Sequence, residues 1–208
     1  MSHYLAYVLI PGDGDVDDLV AEAMAPYDEN RKVELTSEDG EEYWHNPHGF
    51  WDWFQIGGRW TGKLSGYDPS DDPSLMKSCW LCNGTGFRND ELGRKWRESD
   101  PEYTCNGCQG KGEHQAWPTE WPRHKGDIQD ALAVLPALTE DSTPYAFIVH
   151  GSESVAKRER YVPDATDGNY FVEDWPPSRM LPLIFKTVVA RREAGFIGDR
   201  IVVVDYHS

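Results

Sequence analysis

Apolar residues occur along the chain in short blocks, separated by clusters of glycine, proline and acids. Tyr4 to Ile10 is a run of Tyr, Leu, Val and Ile that stops at Pro11-Gly12-Asp13-Gly14. Turn formers gather there and proline removes a backbone donor, so the run predicts a strand. Val16, Leu19, Val20, Ala23 and Met24 then recur at three- and four-residue spacing behind Asp15, Asp17 and Asp18. This predicts a helix over 15–25 whose acidic start suits the positive end of its dipole. Strict alternation over 51–56 places Trp51, Trp53 and Gln55 on one side of a strand and Asp52, Phe54 and Ile56 on the other, with Gly57-Gly58 breaking it. Ile128, Ala131, Leu132 and Leu135 predict a short helix that stops near Pro136. Tyr145 to His150 predicts a strand, Gly151 a turn, and Arg160 to Val162 the hairpin partner. Leu183, Ile184, Thr187, Val188 and Arg191 predict a helix ending near Gly195, and Ile201 to Asp205 a last buried strand.

The order strand, helix, strand, then strand, strand, helix, strand resembles a ferredoxin-like α+β sandwich lengthened by an insertion. A chain of 208 residues and 23.7 kDa suits one principal core with such an excursion. The body is expected at 1–76 and 123–208, and the insertion at 77–122, entered through Asp68 to Asp72 with Pro69 and Pro73 and left through Pro118 and Pro122. A net charge of −16 excludes a broad sequence-independent grip on phosphates. The acids are concentrated: twelve lie over 11–42 against Arg31 and Lys32, a local balance of −10. Such a face is either solvated or used to steer a basic partner. Nine Trp and 39% hydrophobic residues exclude wholesale disorder. No apolar stretch approaches the roughly 20 residues of a bilayer span. The first residues lack a basic leader, so no membrane partner and a cytoplasmic location are expected.

All four cysteines fall in two copies of one pattern, Cys79-Trp-Leu-Cys82-Asn-Gly84-Thr-Gly86 and Cys105-Asn-Gly-Cys108-Gln-Gly110-Lys-Gly112. Two thiolates three positions apart can reach one tetrahedral ion at about 2.3 Å from a single tight turn, and two such turns close a four-sulfur shell. Glycines after the second cysteine permit positive φ and bring amide donors toward the anionic sulfurs. Two disulfides, a redox-active dithiol and an iron centre compete with zinc for these residues. The repeated C-x-x-C-x-G-x-G resembles the cysteine-rich domain of DnaJ-type co-chaperones and related plastid assembly factors, which carries four repeats and two zinc ions. Two repeats resemble its inner hairpin, which implies one structural Zn2+ per chain on Cys79, Cys82, Cys105 and Cys108. No His-Pro-Asp motif of a J-domain occurs, so stimulation of an Hsp70 partner is not implied. Over 77–125 the cations exceed the acids by one. Arg94, Lys95 and Arg97 around Trp96 offer cations beside an aromatic plate, a combination able to hold a single nucleic-acid strand; the competing reading is a solvated hairpin whose Trp caps a small core.

The segment 44–62 is dense in Trp and Gly. Trp51, Asp52, Trp53, Arg59 and Trp60, with His45 and His48 nearby, form either a pocket for an anionic or planar ligand or a rigid corner. This segment, with Ala25-Pro26-Tyr27-Asp28-Glu29-Asn30 and the closing Val-Val-Asp205-Tyr-His207, resembles uncharacterised proteins of actinobacterial tailed phages. That resemblance implies a viral accessory protein in a bacterial cytoplasm. Asp205 and His207 share one strand face, which suits either a metal or acid–base pair or, more commonly, a strand terminus with a satisfied surface histidine. No triad, phosphate loop or metalloprotease helix motif is present, so no catalytic residue is assigned. The expected function is a zinc-containing binding protein that engages a host protein. The alternatives are nucleic-acid binding through the hairpin and an enzyme built on the Trp/Gly pocket around Arg59.

Overall fold

The computed structural model describes residues 2–152, 155–157 and 177–208. The chain divides into two compact units, Met1–Tyr67 with Arg123–Ser208, and Asp68–Pro122.

In the first unit, β1 (His3–Ile10) runs through the Pro-Gly turn into α1 (Val16–Met24). Asp15 caps this helix by accepting the Asp17 and Asp18 amides at 2.9 and 3.2 Å, satisfying donors that have no intrahelical partner. A separate antiparallel ribbon pairs β2 (Glu34–Thr36) with β3 (Glu42–Trp44). Next comes β4 (Trp53–Ile56). In the second unit, β5 (Met76–Ser78), α2 (Glu91–Ser99) and β6 (Glu113–Gln115) follow in order. The first unit resumes with β7 (Ile128–Asp130), α3 (Ala131–Val134), β8 (Ala146–Val149), β9 (Val155–Lys157), α4 (Pro177–Glu193) and β10 (Arg200–His207).

The main sheet has the order β4-β10-β1-β8-β9, with β7 also paired to β10. β1 and β10 are antiparallel over their whole length, from His3 opposite His207 to Ile10 opposite Arg200, while β1 and β8 are parallel. Every residue of Leu5–Ile10 and of Ile201–Tyr206 is buried, because the sheet is covered on both sides. Ala6, Val8 and Ile10 pack with Val202, Val204 and Tyr206 against Val20, Ala23 and Met24 of α1. Leu5, Tyr7 and Leu9 pack with Ile201 and Val203 against Ala131 and Val134 of α3 and Met180, Ile184 and Val188 of α4.

The fold is therefore mixed α+β with a mixed sheet, and it departs from the ferredoxin-like sandwich expected from the element order. That arrangement splits its β-α-β units with an intervening strand and keeps its helices on one face of an antiparallel sheet. Here β1 and β8 are direct parallel neighbours, and helices cover both faces. The physical cause is the unbroken apolar character of β1 and β10, which belongs to strands buried on both sides.

Two further expectations change. Residues 128–130 form a strand on β10, and the helix starts only at Ala131, where Asp130 caps it by accepting the Ala133 amide at 2.8 Å. The alternation over 51–56 breaks at Asp52, so Trp51 and Phe54 meet edge to face at 5.0 Å in the same core. Arg160 to Val162 lies outside the described residues. Among those described, no helix is long and apolar enough to cross a membrane.

Candidate metal centre

The second unit is built on an internal repeat with a 26-residue offset. β5 and β6 pair with Ser78 opposite Glu113, which brings the first knuckle beside the end of the second. The Cys79 amide donates to Gly112 O at 2.8 Å, and the Cys105 amide donates to Gly86 O at 2.8 Å. Within each knuckle the chain reverses in the same way. Asn83 and Gln109 adopt φ of 51° and 52°, followed by Gly84 at 81° and Gly110 at 83°, a left-handed region that glycine enters without steric cost. Gly86 and Gly112, also at positive φ, sit where the two repeats touch. A Cβ on Gly86 would run into Gly110 O, and one on Gly112 into Gly84 O. The knuckles differ at their tips. Leu81 packs against the cysteines and over Gly107 of the other knuckle, leaving Trp80 77% exposed.

All four cysteines are free and buried. Their Sγ atoms lie within 4.8 Å of one another, with Cys79 to Cys105 at 3.9 Å and Cys82 to Cys108 at 3.7 Å. A tetrahedron with metal–sulfur bonds of about 2.3 Å has edges of about 3.8 Å, so the four sulfurs fit one Zn2+. The Gly112 amide donates to Cys108 Sγ at 3.2 Å, a contact that stabilises a thiolate. Burial pushes the Cys82 thiol up, but hydrogen bonds from the Gly86 amide, Cys108, Cys79 and the Gly84 amide outweigh it and bring the thiol down to about 7. Burial pushes Cys108 up to about 11; the Gly112 amide opposes this and the neighbouring sulfurs reinforce it. Cys82 thus ionises more readily than Cys108, as expected when like groups converge and one proton is given up before the next. A closed four-sulfur shell holds its ion without an open position for substrate, which is the structural kind of zinc site.

The excursion between the knuckles uses its own polar groups to hold itself together. Asn89 donates to Cys82 O at 2.9 Å, tying the loop to the centre. Arg88 forms a forked pair with Asp90, and Asp90 also accepts the Gly93 amide as the cap of α2. Of the residues considered for nucleic acid, Arg94 donates to Asn89 O at 2.9 Å. Arg97 donates to Arg88 O at 3.3 Å and lies over the Phe87 ring. Trp96 meets Tyr103 edge-on at 5.0 Å, and Lys95 is exposed. Arg94, Trp96 and Arg97 thus each contact a partner within this unit.

The Trp/Gly segment forms a corner. Trp51 is buried on the α1 side, its Nε1 donating to Met24 O at 3.0 Å, whereas Trp60 packs on the opposite side of the sheet. Asp52, Trp53 and Arg59 are exposed, so the five residues do not line a common pocket. Two buried carboxylates clamp the turn. Asp205 accepts the Arg59 amide at 3.0 Å; Asp127 accepts the Gly62 amide at 2.8 Å, the Thr61 hydroxyl at 3.1 Å and the His124 amide at 3.3 Å. Side chains at Gly57 and Gly58 would collide with Asp127 and Asp205. His45 and His48 are exposed, while the buried Asn46 between them donates to Pro26 O and Asp28 O at 2.8 Å. Sequence reasoning missed Asp127 and His3. Asp127 carries no local mark among 36 acids, and His3 pairs with Asp205 across 202 positions. No protein-family model matches the chain, and no curated protein or solved structure does either.

Proposed function

We propose that the protein is a zinc-stapled binding protein whose second unit, Asp68–Pro122, presents a recognition surface to another protein. The supporting observation is the closed, buried set of four sulfurs, whose chemistry is to hold a fold in place. The same unit leaves Trp80 77% and Trp117 68% exposed, and exposed Trp is the side chain most enriched at binding hot spots. The hairpin resembles the DnaJ-type cysteine-rich domain, and the chain as a whole resembles proteins of actinobacterial phages. On that reading the zinc unit engages a host protein in the bacterial cytoplasm, as an inhibitor, counter-defence or host-takeover factor, and the acidic body contributes steering and solubility.

The test is affinity capture from an actinobacterial lysate with the zinc-loaded protein and with Trp80→Ala and Trp117→Ala. A single host protein retained by the native chain and lost in either variant supports the proposal. Retention that does not depend on either Trp contradicts it. Retention of nucleic acid that falls steeply with salt would instead favour the phosphate-binding alternative.

A further inference from the structure

Two imidazoles meet at one end of the main sheet. His3 of β1 stands directly opposite His207 of β10, which places both side chains on one face with Cβ atoms about 5 Å apart. Their ring centroids are 5.7 Å apart at an interplanar angle of 67°. A carboxylate holds each ring at Nδ1: His3 Nδ1 lies 2.9 Å from Asp205 Oδ1, and His207 Nδ1 lies 2.6 Å from Asp52 Oδ1. Asp205 is only 1% exposed, and its second oxygen is fixed by the Arg59 amide. Trp53, paired with His207 across β4 and β10, lies edge-on to His3 at 6.1 Å.

A carboxylate against Nδ1 favours the tautomer with its proton there and leaves the Nε2 lone pair for another partner, the arrangement characteristic of metal-binding histidine. Nε2 of His207 is buried and has no hydrogen-bond partner, an orphan of the kind that marks a missing ligand. With metal–nitrogen bonds of about 2.0–2.1 Å, an ion lies about 3.2 Å from each ring centroid, so two imidazoles sharing it stand about 5–6 Å apart. The observed separation falls in that range.

We infer that His3 and His207 form a second metal site, binding a borderline divalent transition-metal ion such as Ni2+ or Zn2+ through Nε2, with Asp205 and Asp52 as outer partners. Among the described residues, only the four cysteines bring three or more ligand atoms within 4.8 Å. The histidine pair therefore supplies two protein ligands where the cysteine centre supplies four, so it holds its ion the more weakly of the two.

The test uses the full chain with its cysteine centre loaded with zinc. Ni2+ alone is titrated while imidazole signals are followed by NMR, and zinc content is measured alongside. The expected result is selective broadening of His3 and His207 before His45 and His48, with zinc retained. His3→Ala and His207→Ala weaken Ni2+ binding at least tenfold, and Asp52→Asn weakens it about tenfold, as loss of an outer carboxylate does. Should either alanine variant fold poorly, the native-chain spectra decide. Unmoved His3 and His207 signals, broadening of His45 and His48 first, or Ni2+ bound only by displacing zinc from the cysteines would overturn the inference.

Discussion

The sulfur atoms of Cys82 and Cys108, contributed by two different knuckles, lie 3.7 Å apart, the edge length of a tetrahedron around a single zinc ion. Each knuckle supplies only half a shell. A zinc ion held there would couple two turns that make few apolar contacts of their own, and its binding free energy would become folding free energy for the unit.

Replacing Cys82 or Cys108 with Ser is expected to reduce bound zinc to a small fraction of the native content. Structural zinc contributes on the order of 10 kcal/mol to such a fold, far more than a unit of this size holds in reserve. Loss of dispersed amide signals from Asp68–Pro122, with signals from the β1 and β10 core retained, is the outcome to look for.

Gly86→Ala and Gly112→Ala probe the contact between the repeats. Each new methyl meets a carbonyl of the opposite knuckle and sits on a positive-φ residue, together costing about 1–3 kcal/mol. Zinc should remain bound but leave faster to a chelator, with release followed by a colorimetric zinc indicator. Unchanged release in both variants would contradict the packing described.

Tyr7→Phe tests the buried core. The Tyr7 hydroxyl donates to Ser142 O at 2.7 Å, and its removal leaves that carbonyl without its partner in a dry site. Urea denaturation should show a loss of about 1–3 kcal/mol, with zinc content unaffected.

Asp127 makes a pH prediction. Burial raises its carboxyl above the ordinary 3.8, although the Gly62 amide, the Thr61 hydroxyl and the His124 amide pull it down. The folded state then holds that proton more tightly than the unfolded chain, so its contribution to stability is lost as pH rises from about 4 through the raised value. Asp127→Asn should flatten this part of the profile in urea denaturation between pH 4 and 8. A native profile without the slope would show the carboxylate to be fully compensated by its three donors.

How much could be read from sequence depended on how far apart the partners lie along the chain. The cysteine centre was legible because each half is a local pattern, with the thiols three positions apart and the glycines just behind them, and only two turns had to meet. The acidic start of α1 was legible for the same reason. The His3–Asp205 and His207–Asp52 pairs span 202 and 155 positions and exist only because β1 and β4 both register on β10. The strand at 128–130 is three residues long, too short for alternation to show against a helical spacing. The unbroken apolar run of Ile201 to Val204 did carry the information that both faces are covered, but the element order suggested a sandwich with one face open.

X-ray absorption at the zinc edge, on protein purified with a quantified metal content, bears most directly on the centre. The expected spectrum is one zinc per chain with four sulfur neighbours at about 2.3 Å. Zinc with mainly nitrogen or oxygen neighbours, or metal-free protein with its cysteines oxidised in pairs, would contradict it.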